Sequence, residues 1–107
     1  MIYDVRVAQV AVKDIENAMN YSEFTLLNPS AADSLYDEIT QKIGELSSFP
    51  KKHALVDDPV LKAAGIGFVV IKNYLAFYRI SEDSHKVTVI RFLNNKRNWQ
   101  AVLKTGL

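Results

Sequence analysis

A chain of 107 residues with 49% apolar content is long enough to enclose one hydrophobic core and too apolar to stay disordered. It has no cysteine, which excludes disulfides and thiolate metal sites and fits a reducing cytoplasm. The net charge of +1 is unevenly spread: residues 1–50 hold three basic side chains against eight acidic ones, whereas residues 51–107 hold ten basic against four acidic. Like charge gathered on one part of a surface attracts polyanions or acidic partners, so the second half is the place to look for function. No apolar run is long enough for a membrane span, and the start "MIYDVRVAQV" lacks the pattern of an export signal. The sequence reads as one cytoplasmic domain over residues 1–107, with no membrane association.

"IYDVRV" predicts a first strand from Ile2, Val5 and Val7. From Ala11 the period lengthens: Ala11, Ile15, Ala18, Met19 and Ser22 fall three or four apart and predict a helix that ends near Leu27. In "NPSAAD", Asn28 is an N-cap and Pro29 a first helical residue. The second helix follows, with Ala32, Leu35, Ile39, Ile43 and Leu46 on one side and Asp33, Asp37, Glu38, Lys42 and Glu45 on the other, broken at Pro50. The short link between the two helices implies an antiparallel hairpin. Residues 51–65 read as a loop with one helical turn. "FVVIK", "NYLAFYRIS" and "KVTVIRFL" then predict an antiparallel meander, with Asn73 supplying the positive φ of a tight Lys72–Asn73 turn. "NWQAVLKTGL" predicts a short helix that lays Trp99, Val102 and Leu103 on the sheet. The fold class is α+β: an N-terminal strand and a helix hairpin on a small twisted antiparallel sheet, with a short C-terminal helix.

No glycine-rich phosphate loop, paired-histidine metal spacing or nucleophile elbow occurs, so neither a metal nor another cofactor is expected. The segments "AVKDIENAMNY", "NPSAADSLYDEI", "IGELSSFP", "VVIKNYLAFYRI" and "VIRFLNNKRNWQAVL", in this order and over nearly the whole chain, resemble the RelE/ParE superfamily of toxins from bacterial type II toxin–antitoxin modules. The resemblance implies a growth inhibitor neutralised by a cognate antitoxin. It also implies one of two targets: messenger RNA on the ribosome, cut by RelE-like interferases, or DNA gyrase, poisoned by ParE-like members without catalysis of their own. A third reading is an inactive homologue that only binds its antitoxin.

RNA cleavage by 2′-OH attack needs a base, an acid and cations around the phosphate. On the ribonuclease reading the resemblance makes Lys72, Arg91 and Arg97 the candidate catalytic residues, and Arg79, Asn94 and Lys96 candidate phosphate ligands. Lys96 and Arg97 are also expected to meet acidic antitoxin residues. Three positions depart from the ribonuclease pattern: Asn94 stands where relatives carry tyrosine or histidine, and Leu75 and Gly67 stand where they carry arginine.

Plainer roles exist for each residue. Arg91 interrupts an apolar strand and must be paired if buried, with Asp57 or Asp58 as expected partners. Lys96 and Arg97 can form a solvated rim, and His53 and His85 can be surface residues. Tyr74 and Tyr78, on one face of a strand, and Trp99 at the core edge are expected to pack.

Overall fold

The spacing of apolar residues is realised as predicted in the computed structural model, which describes residues 2–22 and 27–105. Strand β1 (Asp4–Val7) leads into helix α1 (Gln9–Asn20), whose Ala11 and Ala18 are buried while Ile15 and Met19 pack beside them. The helix widens at Tyr21–Ser22. Its expected end near Leu27 adjoins residues 23–26, which lie outside the described residues, and Leu27 is exposed with φ +51°. Helix α2 (Pro29–Glu45) begins as predicted: Pro29 needs no N–H partner, and the Asn28 side chain accepts the Ala31 N–H at 3.1 Å. Ala32, Leu35, Ile39, Ile43 and Leu46 are all buried, so the stripe is the core-facing side of α2. The helix ends at Glu45, and a 3₁₀ turn (Pro50–Lys52) follows.

The loop carries one short helix, α3 (Pro59–Ala63). Asp58 caps it by accepting the N–H groups of Val60 and Leu61, and also binds Lys104 at 2.9 Å. Strands β2 (Gly67–Ile71), β3 (Tyr74–Ser81) and β4 (Lys86–Asn94) form the antiparallel meander. The sheet order is β1-β4-β3-β2, and β1 runs parallel to β4, with Asp4 opposite Lys86 and Val7 opposite Val89. A parallel pair requires a long crossover, which α1, α2 and the rest of the chain supply. In the β2–β3 turn the positive φ belongs to Lys72 (+53°) and not to Asn73. Helix α4 (Trp99–Thr105) closes the fold. No described helix is long and apolar enough to cross a membrane.

The sheet separates two apolar clusters. Under α1 and α2 lie Val69, Ile71, Ala76, Tyr78, Val87, Val89 and Phe92; on the opposite face Phe77 and Leu93 meet Val56, Leu61, Ile66 and Leu103. Trp99 packs its ring 5.2 Å from that of Phe77, which places it at the core edge as expected, with Val102 beside it. A bulge makes this partition possible. Phe77 pairs with Arg91 and Tyr78 with Val89, so Ile90 is an extra residue in β4. Strict alternation from Val87 and Val89 would turn Arg91 into the cluster beneath the helix hairpin. The extra residue instead leaves Phe92 in that cluster and puts Ile90 and Leu93 with the second one.

Tyr78 fixes one corner. Its O–H donates to the Pro50 carbonyl at 2.6 Å, and its ring lies against Gly67, where an added Cβ would come within 3.0 Å of the ring. A buried, hydrogen-bonded phenol cannot swing away, so Gly67→Ala should lower stability by about 1–3 kcal/mol, measured by urea unfolding. In a Tyr78→Phe background, where the ring is released from Pro50, the penalty should shrink.

Candidate functional site

The opening of a site at the end of the sheet follows from two turns. At the β2–β3 hairpin Lys72 sits in the left-handed region, and the Asn95 N–H donates to the Asn73 carbonyl at 2.8 Å, tying this turn to the end of β4. Beyond β4 the Asn94 side-chain oxygen accepts the Lys96 N–H at 2.9 Å, and the Arg97 N–H donates to the Asn94 carbonyl at 3.1 Å. The Asn98 side chain accepts the Ala101 N–H at the start of α4. Three of the polar residues in "NNKRNW" are therefore shaped by turn and cap chemistry.

These turns and the helix hairpin enclose a cavity of about 510 Å³. Lys72, Asn73, Asn94, Asn95 and Lys96 form the sheet side; Tyr21, Ser22, Ala31 and Leu35 form the helix side; and Tyr74 completes the lining. Tyr74 lies opposite Asn94 across the strands and stacks on Phe92 with ring centres 4.8 Å apart, so it packs as expected and also walls the cavity. Burial pushes its phenol above the ordinary value. Among the described residues no carboxylate pairs with Lys72 or Lys96.

The other candidates lie elsewhere. Arg79 and Arg91 line a separate groove of about 380 Å³ with Val10, Ile90, Val102 and Leu103, on the α4 side of the sheet. Arg91 is paired there, but neither with Asp57 nor with Asp58. Its Nε donates to Asp14 Oδ2 at 2.7 Å and its Nη2 to Asp14 Oδ1 at 3.0 Å. Asp58 is occupied by the α3 cap and Lys104. Asp14 Oδ2 also accepts the Phe92 N–H at 3.0 Å. Because β1 ends at Val7, opposite Val89, the far part of β4 has β3 on one side and no strand on the other, and Asp14 fills one backbone position along that open edge. The carboxylate holds the Arg91 guanidinium well into its charged form, against the opposing effect of burial. Arg97 is exposed on the turn and lines neither cavity. The six candidates thus divide into a lysine–asparagine group (Lys72, Asn94, Lys96), an arginine pair (Arg79, Arg91) and Arg97 alone.

Asp14, which holds Arg91, and Tyr21 and Ser22, which line the cavity at the end of the sheet, were not among the candidates the sequence reading named. A hydroxyl at the end of the Ala11–Ala18 stripe is the signal for Ser22; nothing local in the sequence ties Asp14 to a strand 77 residues away. The histidines are less peripheral than expected. His85 takes φ +51°, sets its ring 5.3 Å from that of Tyr3, and has a buried Nδ1 without a partner among the described residues. His53 lies edge-on to Tyr78.

Asp14→Ala should lower stability by about 2–4 kcal/mol, because it strands a half-buried guanidinium and an edge N–H together. Asp14→Ala with Arg91→Met should recover part of that loss in chemical denaturation. Burial, followed by the charges of Lys52 and Lys42, holds His53 below its ordinary 6.5. A depressed histidine contributes its full stability above pH 6.5 and loses it as pH falls through the lower native value. His53→Gln should flatten the decline in urea midpoint between pH 7.5 and pH 5.

The fold and sequence both have relatives. The chromosomal ParDE toxin–antitoxin system of P. aeruginosa includes a chain that superposes with a TM-score of 0.69 at 13% identity, over 87% of this chain and 96% of that one. A chain of the RelBE2 toxin–antitoxin complex of Mycobacterium tuberculosis gives 0.60 at 19% identity, over 88% and 99%. One from the archaeal RelE–RelB complex of Pyrococcus horikoshii gives 0.59 at 13%, over 91% and 99%. At these identities the likeness is one of fold. No curated protein matches the sequence significantly. The family model described as the ParE toxin of the type II toxin–antitoxin system parDE matches residues 5–99. That match spans β1 through the first residue of α4, and the chain belongs to the ParE toxin family of type II toxin–antitoxin systems.

Proposed function

We propose that this toxin arrests growth by binding its target, as ParE-like gyrase inhibitors do, and not by cutting messenger RNA. The observation that carries this reading is the engagement of Arg91: both faces of its interaction with Asp14, and the shared Phe92 N–H, make it a structural clamp and leave it unavailable to a scissile phosphate. Two further features support it. Lys72 lines the cavity at the end of the sheet and Arg97, the other candidate catalytic residue outside the Asp14 clamp, does not. Asn94, at the position where interferases place an ionisable ring, has an amide that cannot exchange a proton, and its oxygen is engaged by the Lys96 N–H.

Neutralisation by an antitoxin follows from the family and from the complexes in which the structural relatives occur. The groove of Val10, Ile90, Val102 and Leu103 suits the apolar side of an antitoxin segment, with Arg79 at hand for a carboxylate. Lys96 and Arg97, both exposed, offer a second contact for acidic antitoxin residues past the end of β4.

Purified toxin should inhibit DNA supercoiling by gyrase and leave messages intact on translating ribosomes, and its induction should trigger the DNA-damage response before protein synthesis falls. Ribosome-dependent cleavage that disappears in Arg97→Ala would overturn the reading, as would unimpaired growth on induction without the antitoxin. Val10→Glu should weaken antitoxin binding through its apolar part at least tenfold, whereas Lys96→Glu with Arg97→Glu should mainly slow association and reduce its salt dependence, both measured by surface plasmon resonance.

A further inference from the structure

We propose that the corner around the 3₁₀ turn Pro50–Lys52 docks a second copy of this chain, which offers the outer side of its helix α2 with Tyr36 as the anchor. The corner belongs to neither surface described above. It lies where β2 begins and β3 ends, and its lining shares no residue with the lysine cavity at the other end of these strands or with the groove beside α4. Two hollows meet there at Pro50 and Lys51. One, of about 210 Å³, is walled by Pro50, His53, Leu55, Tyr78 and Ile80; the other, of about 280 Å³, takes in Tyr3, Ser48, Phe49 and Lys52. Each is smaller than the clefts of roughly 300–1,000 Å³ that enclose organic ligands, and each suits a single side chain. Phe49 is 66% exposed and Leu55 44%, so the corner carries apolar surface that no described residue covers.

Charge decides what kind of surface fits. Burial and then the charges of Lys52 and Lys42 hold His53 below its ordinary value, so these lysines gather at the corner, and Lys51 beside them reaches Glu82 at 3.1 Å. Lys42 and Lys52 have no carboxylate partner among the described residues. Glu45 and Glu82 stand among the lysines and would repel a phosphate backbone, which is negative throughout. The match is a protein surface with an apolar centre and a few acids around it. The chain carries such a surface itself. On the outer side of α2, Asp33, Tyr36 and Asp37 share one helical face, all three are exposed, and neither aspartate is ion-paired among the described residues. A helix face and a turn beyond the helix's end are different surfaces, so each copy can give one and receive the other. Tyr36 then enters the hollow beside His53 and Leu55, an aromatic anchor in a small pocket, while Asp33 and Asp37 approach Lys51 and Lys52. One anchor and a few charges make a small interface, which forms at high local concentration and yields to salt.

Sedimentation velocity of the purified toxin tests the contact. At low salt the weight-average mass should rise with concentration into the submillimolar range, and at high salt it should fall back toward the monomer. Lys52→Glu and Asp37→Lys should each weaken self-association about tenfold or more, as should Tyr36→Ala through the anchor. The two charge variants mixed should associate again, because the reversed corner of one then meets the reversed helix face of the other. All three positions are exposed, so the folds should survive, which circular dichroism checks; Phe49→Ala gives a second probe of the corner. A wild-type chain that stays monomeric at submillimolar concentration would overturn the proposal, as would self-association that survives both Tyr36→Ala and Phe49→Ala, or a mixture of the charge variants no better associated than either alone. Loss of antitoxin binding or of gyrase inhibition in Phe49→Ala and Lys52→Glu, with self-association intact, would also overturn it by assigning the corner to a different protein.

Discussion

One carboxylate makes the two halves of this fold depend on each other. Strand β1 is four residues long and β4 nine, so the parallel pair ends while β4 still has several residues to run. An open backbone edge in the middle of a small protein needs a partner, and Asp14 of α1 provides it at Phe92 while gripping Arg91 next door. The acidic first half and the basic second half are thereby joined at a defined point, where a bidentate guanidinium–carboxylate pair has directional preferences that a lysine would not satisfy.

The bulge at Ile90 is the geometric condition for that contact. It moves Arg91 out of the alternation that would have buried it beneath α1 and α2, and it allows one strand to serve two cores, Phe92 on one face and Leu93 on the other. The same strand then continues into the asparagine-rich turn that walls the lysine cavity. The middle of β4 thus fixes the fold, and its end shapes a surface.

Regular elements were legible in the sequence because their signals are local. The α2 stripe, its Asn28–Pro29 start, the three strands and the packing of Trp99 all follow from spacing and cap chemistry within a few residues. The parallel placement of β1 was not legible, since nothing in "IYDVRV" names its neighbour. Arg91 was recognised as anomalous and as needing a partner, yet the partner named was wrong: Asp57 and Asp58 are closer in sequence, but Asp58 is occupied by a helix cap and Lys104, and the true partner arrives through the fold. The candidate cations were sought in the basic half. Their division among two cavities and an exposed turn depends on strand register and the bulge, which composition does not encode.

Pairing β1 with β4 also sets the timetable of folding. The chain's first strand finds its hydrogen-bonding neighbour only after residues 86–89 have been made, so the sheet cannot be completed while most of the chain is still being synthesised. Until then Val5 and Val7 lack their cover, and Asp14 lacks the arginine it will hold. A chain cut short before β4 therefore carries the helix hairpin without the strand that finishes the sheet, and with it loses both the partner of β1 and the clamp on Arg91.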